Sequence, residues 1–305
     1  MDTTHGARQT ASRLIIVEGV PGSGKTTTAQ FVRDWARGNS LESLLYLEDA
    51  AYHPVDLDNL SYLDPAQYDR LIQQFAGIKS RLGRITEKGT HGYFVHARQW
   101  PEVHQEPMPD DLLEALIKTN AHDSLPPETY RALSLERWRT FSDRARHTDH
   151  VYVFECCLFQ NPLTVFIGKH NWDPGAVTSH ILDLAASVES LRPILIHLRG
   201  DSVPEILQRV IETRPREWIA FVTEYITGQG YGKAQELDGL EGVFQFYDLL
   251  QELEDALVAR LNWPTLVVDI SRWQWEQNRQ RIARFLQTNT LAAEPREPGY
   301  DKTIL

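Results

Sequence analysis

The most constraining stretch of this 305-residue chain lies near its start: Arg13-Leu-Ile-Ile-Val-Glu-Gly19-Val20-Pro21-Gly22-Ser23-Gly24-Lys25-Thr26-Thr27. The apolar run from Leu14 to Val17 reads as a buried parallel strand, and Thr26 to Trp35 carries a helical pattern. Between them stands Gly-x4-Gly-Lys-Thr, the spacing of a phosphate-binding (Walker A) loop, in the strand–turn–helix context such a loop needs. Gly22 and Gly24 can take backbone angles closed to other residues, so successive N–H groups can converge on an anion. The positive end of the following helix strengthens that field. Gly19, Val20, Pro21, Gly22, Ser23, Gly24, Lys25, Thr26 and Thr27 are therefore the candidate nucleotide-binding residues. Lys25 is expected to reach the β- and γ-phosphates, and the Thr26 hydroxyl to ligate Mg²⁺.

Composition narrows the remaining classes. The net charge of −11, with no basic stretch against it, argues against a non-specific nucleic-acid binder. The two cysteines, Cys156 and Cys157, are adjacent and cannot staple distant segments, which favours a reducing compartment. The first residues lack the apolar centre of a signal peptide, and no apolar run approaches the about 18 residues of a membrane span. The expectation is a cytoplasmic protein with neither nucleic-acid nor membrane partners.

Downstream, Leu44-Leu-Tyr-Leu-Glu48-Asp49 reads as a second strand ending in two acids. Strand ends face the ligand crevice of an open parallel sheet. Glu48 or Asp49 is thus a candidate general base for an acceptor hydroxyl, or a Mg²⁺–water ligand, against the plainer role of a solvated strand end. Asp64-Pro65 opens a helix. Residues 83–100 read as a hairpin or loop holding His91, His96, Arg98 and Trp100, which either line an acceptor pocket or decorate a surface hairpin. Two further helices follow, so that about 55–149 reads as a mostly helical insertion on the acceptor side. Val151-Tyr-Val-Phe-Glu155 is the third strand. Its terminal carboxylate is placed to hold Mg²⁺ through water together with Thr26. Gln160 and Asn161, just beyond, are candidate acceptor contacts.

Pro193 to Leu198 is the fourth strand. The helix after it ends in Arg209-Val-Ile-Glu-Thr-Arg214-Pro-Arg216. Fixed cations there suit a lid over transferring phosphates, with surface salt bridging as the alternative. The lid spans about 199–233 and closes on Gly228-Gln-Gly230-Tyr-Gly232-Lys233, read as a flexible hinge. Pro264 to Asp269 is the fifth strand. The whole reads as one domain over 1–290 with a loose tail over 291–305.

Gly19–Thr26, the acid-ended second strand, Phe154-Glu155 and the run from His197 to Arg216 together resemble the P-loop kinases of the nucleoside and nucleotide group, thymidylate kinases among them. The resemblance implies a three-layer α/β P-loop NTPase fold, a five-stranded parallel sheet of order 2-3-1-4-5, and a helical insertion and lid. It implies transfer of the ATP γ-phosphoryl group, with Mg²⁺, to a small hydroxyl or phosphate acceptor. In the deoxynucleoside kinases of that group the second-strand Glu is the base toward a sugar hydroxyl, and Glu48 takes its place here; Arg209, Arg214 and Arg216 would complete the charge clamp. Where the family has Arg after the third-strand acid, this chain has Cys156. The rival class is a nucleotide-hydrolysing module with no small acceptor. A GTPase is disfavoured because no Asn/Thr-Lys-x-Asp follows, and a motor or transport ATPase because the third strand ends in a single acid.

Overall fold

The computed structural model describes residues 11–291. The expected tail therefore lies, beyond Leu291, outside the described residues. The central sheet contains β1 (Leu14–Glu18), β2 (Ser43–Tyr46), β6 (Val151–Glu155), β7 (Ile194–Arg199) and β8 (Thr265–Asp269), all parallel, in the order β2-β6-β1-β7-β8. Numbered among themselves, these strands run 2-3-1-4-5, as the sequence implies. Every residue of β1 and β6 is buried. Because neighbouring side chains point to opposite faces, both faces must be covered, and continuous apolar runs such as Leu-Ile-Ile-Val are what that position demands. Helices supply the cover: α1 (Lys25–Gly38), α4 (Pro127–Ala145), α5 (Pro174–Ser187), α8 (Gly239–Val258) and α9 (Trp275–Thr290). Among them α4 packs on α5, and α1 on α9. The result is a three-layer α/β domain with the P-loop NTPase strand order.

Sheet order dictates where the chemistry can gather. Since β6 lies between β2 and β1, the loops after those three strands are neighbours, and Val17 is in register with Glu155. The phosphate loop, Glu48 and Glu155 therefore emerge side by side at the carboxyl edge of the sheet, where open α/β sheets bind ligands.

The insertion differs from a purely helical one. Besides α2 (Pro65–Gln74), α3 (Asp110–Ile117) and α4 it contains β3 (Ser61–Leu63), β4 (Thr86–Lys88) and β5 (Tyr93–Val95), joined as an antiparallel sheet of order β3-β5-β4. This sheet shares a small second core with α2 and α3, built on Leu63, Leu71, Phe75, Leu82, Ile85, Val95, Trp100, Leu112 and Leu116. An aspartate cap with a reciprocal Gln67 bond starts α2, as Asp64-Pro65 predicts.

The segment expected to act as a lid holds α6 (Val203–Thr213) and α7 (Arg216–Thr227), with α7 packed along α8. Its expected glycine hinge is instead a packed turn. Residues Gly230–Ala234 are helical, and a Cβ on Gly232 would lie 1.9 Å from the Ile226 carbonyl oxygen. Glycine is needed at 232 for close backbone approach.

Candidate active site

The phosphate loop is tied down from below and open above. Gly22 and Gly24 take φ values of 82° and 94°, the left-handed region that glycine tolerates. A Cβ on Gly22 would also stand 2.2 Å from a methyl of Val210, so the loop and α6 fit together only with glycine here. Lys25 opens α1 and is 5% exposed. Its Nζ donates to the Val20 carbonyl at 3.1 Å and to Gln160 Oε1 at 2.7 Å. Burial opposes its charge, but nearby Cys156, Glu48 and Glu155 outweigh that and hold the ammonium above its ordinary value.

The Thr26 hydroxyl donates to Glu155 Oε1 at 2.6 Å, and Glu155 Oε2 lies 3.5 Å from the Glu48 N–H. One carboxylate thus joins the start of α1 to the end of β2. The Glu48 side chain itself is open to water, yet burial is the first cause pushing its carboxyl pKa up. Both facts fit a group on the floor of a concave cleft, wetted from one side and walled by protein on the others. Lys25 pulls its pKa back down, while Glu155 and Asp58 push it up.

These groups line one cleft of about 710 Å³, within the usual range of a small-molecule site. From the phosphate side Pro21, Gly22, Gly24, Lys25, Thr26 and Thr27 face it; Glu48, Asp49 and Glu155 form its floor; Arg209 and Arg214 reach it from the lid. The Arg209 guanidinium lies 4.5 Å over Trp273, and that of Arg214 5.4 Å over Trp218, so both are held at the rim by aromatic faces. Gly19, Val20 and Ser23 are under the loop rather than in the cleft. Arg216, exposed at the start of α7, is not among the lining residues.

Two of the four candidates in the 83–100 stretch fit neither the pocket nor the surface reading. Trp100 is fully buried in the second core, and His96 is buried beside Glu87, with ring nitrogen to carboxylate 3.6 Å. His91 is exposed on the β4–β5 turn. Only Arg98 lines the cleft, donating to the Asp49 carbonyl at 3.2 Å.

The far end of the cleft is built by residues with no motif of their own: Asp58, Asn59, His122, Asn161, Thr164 and Tyr225. The Tyr225 hydroxyl and His122 Nε2 are 2.9 Å apart, and this contact links α7 of the lid to the insertion. Gln160 and Asn161 were legible as candidates only because they follow the third strand; Asp58 and Tyr225 carry no sequence signal of that kind.

Beneath the site, Glu18 ends β1 fully buried and accepts from the backbone N–H groups of Leu158 and Phe159 at 2.7 and 3.0 Å. It thereby fixes the loop that carries Gln160. Burial, then the charge of Glu254, pushes its pKa up from 4.5 to about 8. Between those values the folded protein keeps a proton that the unfolded chain has lost, so stability falls as pH rises through that window. The expected result is a thermal midpoint that declines from pH 4.5 to about 8, with the decline flattened in Glu18→Gln, whose amide oxygen still accepts both N–H bonds. Equal slopes by scanning calorimetry would refute this role.

The parallel sheet order and the loop between β1 and α1 define a P-loop NTPase fold. No protein-family model matches the chain, and no curated protein matches it. Among solved structures, it is similar to a protein described provisionally as a kinase, from Chloroflexus aurantiacus J-10-fl, at 16% identity over 92% of this chain and 99% of that one, with a TM-score of 0.34. It is also similar to thymidylate kinase from Candida albicans, at 13% identity over 92% of each chain, with a TM-score of 0.41. No helix among the described residues is long and apolar enough to cross a membrane.

Proposed function

We propose that the protein is an ATP-dependent phosphotransferase that moves the γ-phosphoryl group to a small hydroxyl or phosphate acceptor. One observation carries this reading: the cleft is continuous from the phosphate loop, past Glu48 and Glu155, to the Asp58–His122–Tyr225 end formed by the insertion and lid. A hydrolase needs room for the nucleotide and one water. A kinase needs a second, walled compartment beyond the γ-phosphate, and the insertion supplies walls for one.

The backbone N–H groups of Gly22, Gly24 and Lys25 hold the β-phosphate, and the Lys25 ammonium bridges to the γ-phosphate. Glu48 orients the acceptor hydroxyl and takes its proton. Arg209 and Arg214 approach from the lid and offset charge that spreads over the phosphoryl oxygens. Arg216 joins them only with a movement of α7. Thr26 and Glu155 present hard oxygen donors to one point, which fits Mg²⁺, a cation that keeps several waters and needs few protein ligands. When bound, Mg²⁺ would neutralise charge on the phosphate oxygens.

The test is ADP formation from ATP and Mg²⁺ with and without a pool of nucleosides, nucleotides, sugars and amino-bearing hydroxyl compounds. Acceptor-dependent ADP and a new phosphorylated product are expected; free phosphate alone, at a rate indifferent to the pool, would make it a hydrolase. Glu155→Ala removes the acid beside Thr26 and is expected to raise the Mg²⁺ concentration for half-maximal rate by roughly 10–100-fold, as loss of an outer-shell carboxylate typically does. An unchanged Mg²⁺ titration would remove Glu155 from that role.

A further inference from the structure

The phosphate loop makes the cleft a ligand site; the groups at its other end decide what the phosphoryl group is passed to. That end has an acid side and an aromatic side. Glu48 and Asp49 stand just beyond β2, and Asp58 follows from the next loop. Asn59 fixes the Asp58 carboxylate, donating from its backbone N–H to Oδ1 at 3.0 Å and from Nδ2 to Oδ2 at 3.2 Å. His122 bridges to the other side: its Nδ1 is 3.9 Å from Asp58 Oδ1, and its Nε2 is 2.9 Å from the Tyr225 hydroxyl. There α7 presents Tyr225 and, one turn earlier, Phe221, with ring centroids 5.8 Å apart. Phe221 is 63% exposed although it faces a cleft, so a ligand has an aromatic surface to cover. The cations are distributed unevenly. Lys25, Arg209 and Arg214 serve the phosphate end. Among the described residues, Arg98 is the one arginine or lysine lining the acceptor end, and it donates to a backbone carbonyl, that of Asp49. Lys169 donates to the His122 carbonyl from behind and does not line the cleft.

We propose that the acceptor is a small hydroxyl compound bearing a protonated amine, held with the amine between Asp58 and the Phe221–Tyr225 face; this names the acceptor class within the phosphotransferase reading above and rests on it. A phosphate-bearing acceptor would bring further negative charge against Glu48, Asp49 and Asp58, with one arginine to offset it, and such repulsion discriminates without any contact. An ammonium instead meets a carboxylate on one side and the negative face of aromatic rings on the other, both of which favour an organic cation. In the reaction the acceptor hydroxyl oxygen bonds to the γ-phosphorus, and the bond from that phosphorus to the β–γ bridging oxygen breaks. ADP leaves with the electron pair, and the hydroxyl proton passes to Glu48. The amine keeps its proton throughout, so it has no lone pair with which to attack, and it serves as the anchor that selects which hydroxyl reaches Glu48.

The experiment gives the full chain Mg²⁺·ATP with a panel of amino alcohols, amino sugars and aminocyclitols, each beside its N-acetylated and O-phosphorylated counterparts, and with nucleosides and nucleoside monophosphates. ADP and phosphorylated product are followed. Turnover is expected with amines, at a KM roughly 10–100-fold below that of the N-acetylated forms, the worth of a hydrogen bond between charged groups. Asp58→Asn should raise the amine KM by that factor and leave the KM of the N-acetylated form unchanged. Unaltered affinity for N-methylanthraniloyl-ATP would show that this variant is folded. Phe221→Leu, which keeps an apolar side chain and loses the aromatic face, should raise the amine KM by roughly 2–5-fold. Equal KM for amines and their N-acetylated forms, or phosphorylation of neutral or phosphate-bearing acceptors only, would overturn the amine assignment and leave the phosphotransferase reading intact. Phosphate release indifferent to every acceptor, or no ADP formed at all, would overturn that reading and this inference with it.

Discussion

Lys25→Ala is expected to lower turnover with any acceptor by roughly 10²–10³-fold, the usual cost of removing one preorganised electrostatic contact at a reacting centre. Two effects add. The ammonium that bridges the phosphates is lost, and the carboxylates it offsets, Glu48 and Glu155, then face the incoming polyphosphate uncompensated. Nucleotide affinity should therefore fall together with kcat. Part of the Lys25 stem is buried, so alanine also leaves a void beneath the loop. Lys25→Met separates the two contributions, because it keeps the apolar stem and drops only the charge. Both variants should lose activity alike, while Lys25→Met melts near the wild-type temperature. Added Mg²⁺ should rescue neither, in contrast to Glu155→Ala. Wild-type turnover in Lys25→Met would refute the proposed mechanism.

The phosphate loop and the sheet order were legible because both rest on short-range pattern. Gly-x4-Gly-Lys-Thr fixes its own backbone, and five apolar runs separated by helical stretches leave few parallel arrangements. Of the small antiparallel sheet, the β4–β5 hairpin falls within the 83–100 stretch read as a hairpin or loop, whereas the pairing of β3 with it was not legible. Its strands, Ser61–Leu63, Thr86–Lys88 and Tyr93–Val95, are three residues each, too short to show an alternating pattern. His96 and Trp100 were misplaced for a related reason: an aromatic or imidazole side chain near a suspected site serves a core equally well, and only the second core decides between them. The glycines of 228–232 read as a hinge because sequence does not distinguish a glycine needed for motion from one needed for contact. The far end of the cleft was invisible because it is made by distance. His122 and Tyr225 meet across 103 residues, through two helices whose docking depends on the whole fold. The arginines divide similarly: Arg209 and Arg214 line the cleft, while Arg216, two residues on at the start of α7, does not.

Glu48→Gln is expected to separate binding from chemistry. The substitution keeps size and the backbone N–H that approaches Glu155, and it removes only the ability to take a proton. Nucleotide affinity should hold or improve, because one negative charge leaves the neighbourhood of the phosphates. Phosphorylation of the acceptor should fall by roughly 10²–10⁴-fold, the usual contribution of a positioned general base. Asp49 is the competing assignment. Both side chains line the cleft, but it is Glu48 whose backbone N–H approaches Glu155, the carboxylate bonded to Thr26. Asp49→Asn is therefore expected to raise the acceptor KM more than it lowers kcat. Parallel measurement of kcat and KM for the two variants decides the matter. A collapse of kcat in Asp49→Asn with Glu48→Gln near wild type would transfer the role of base to Asp49.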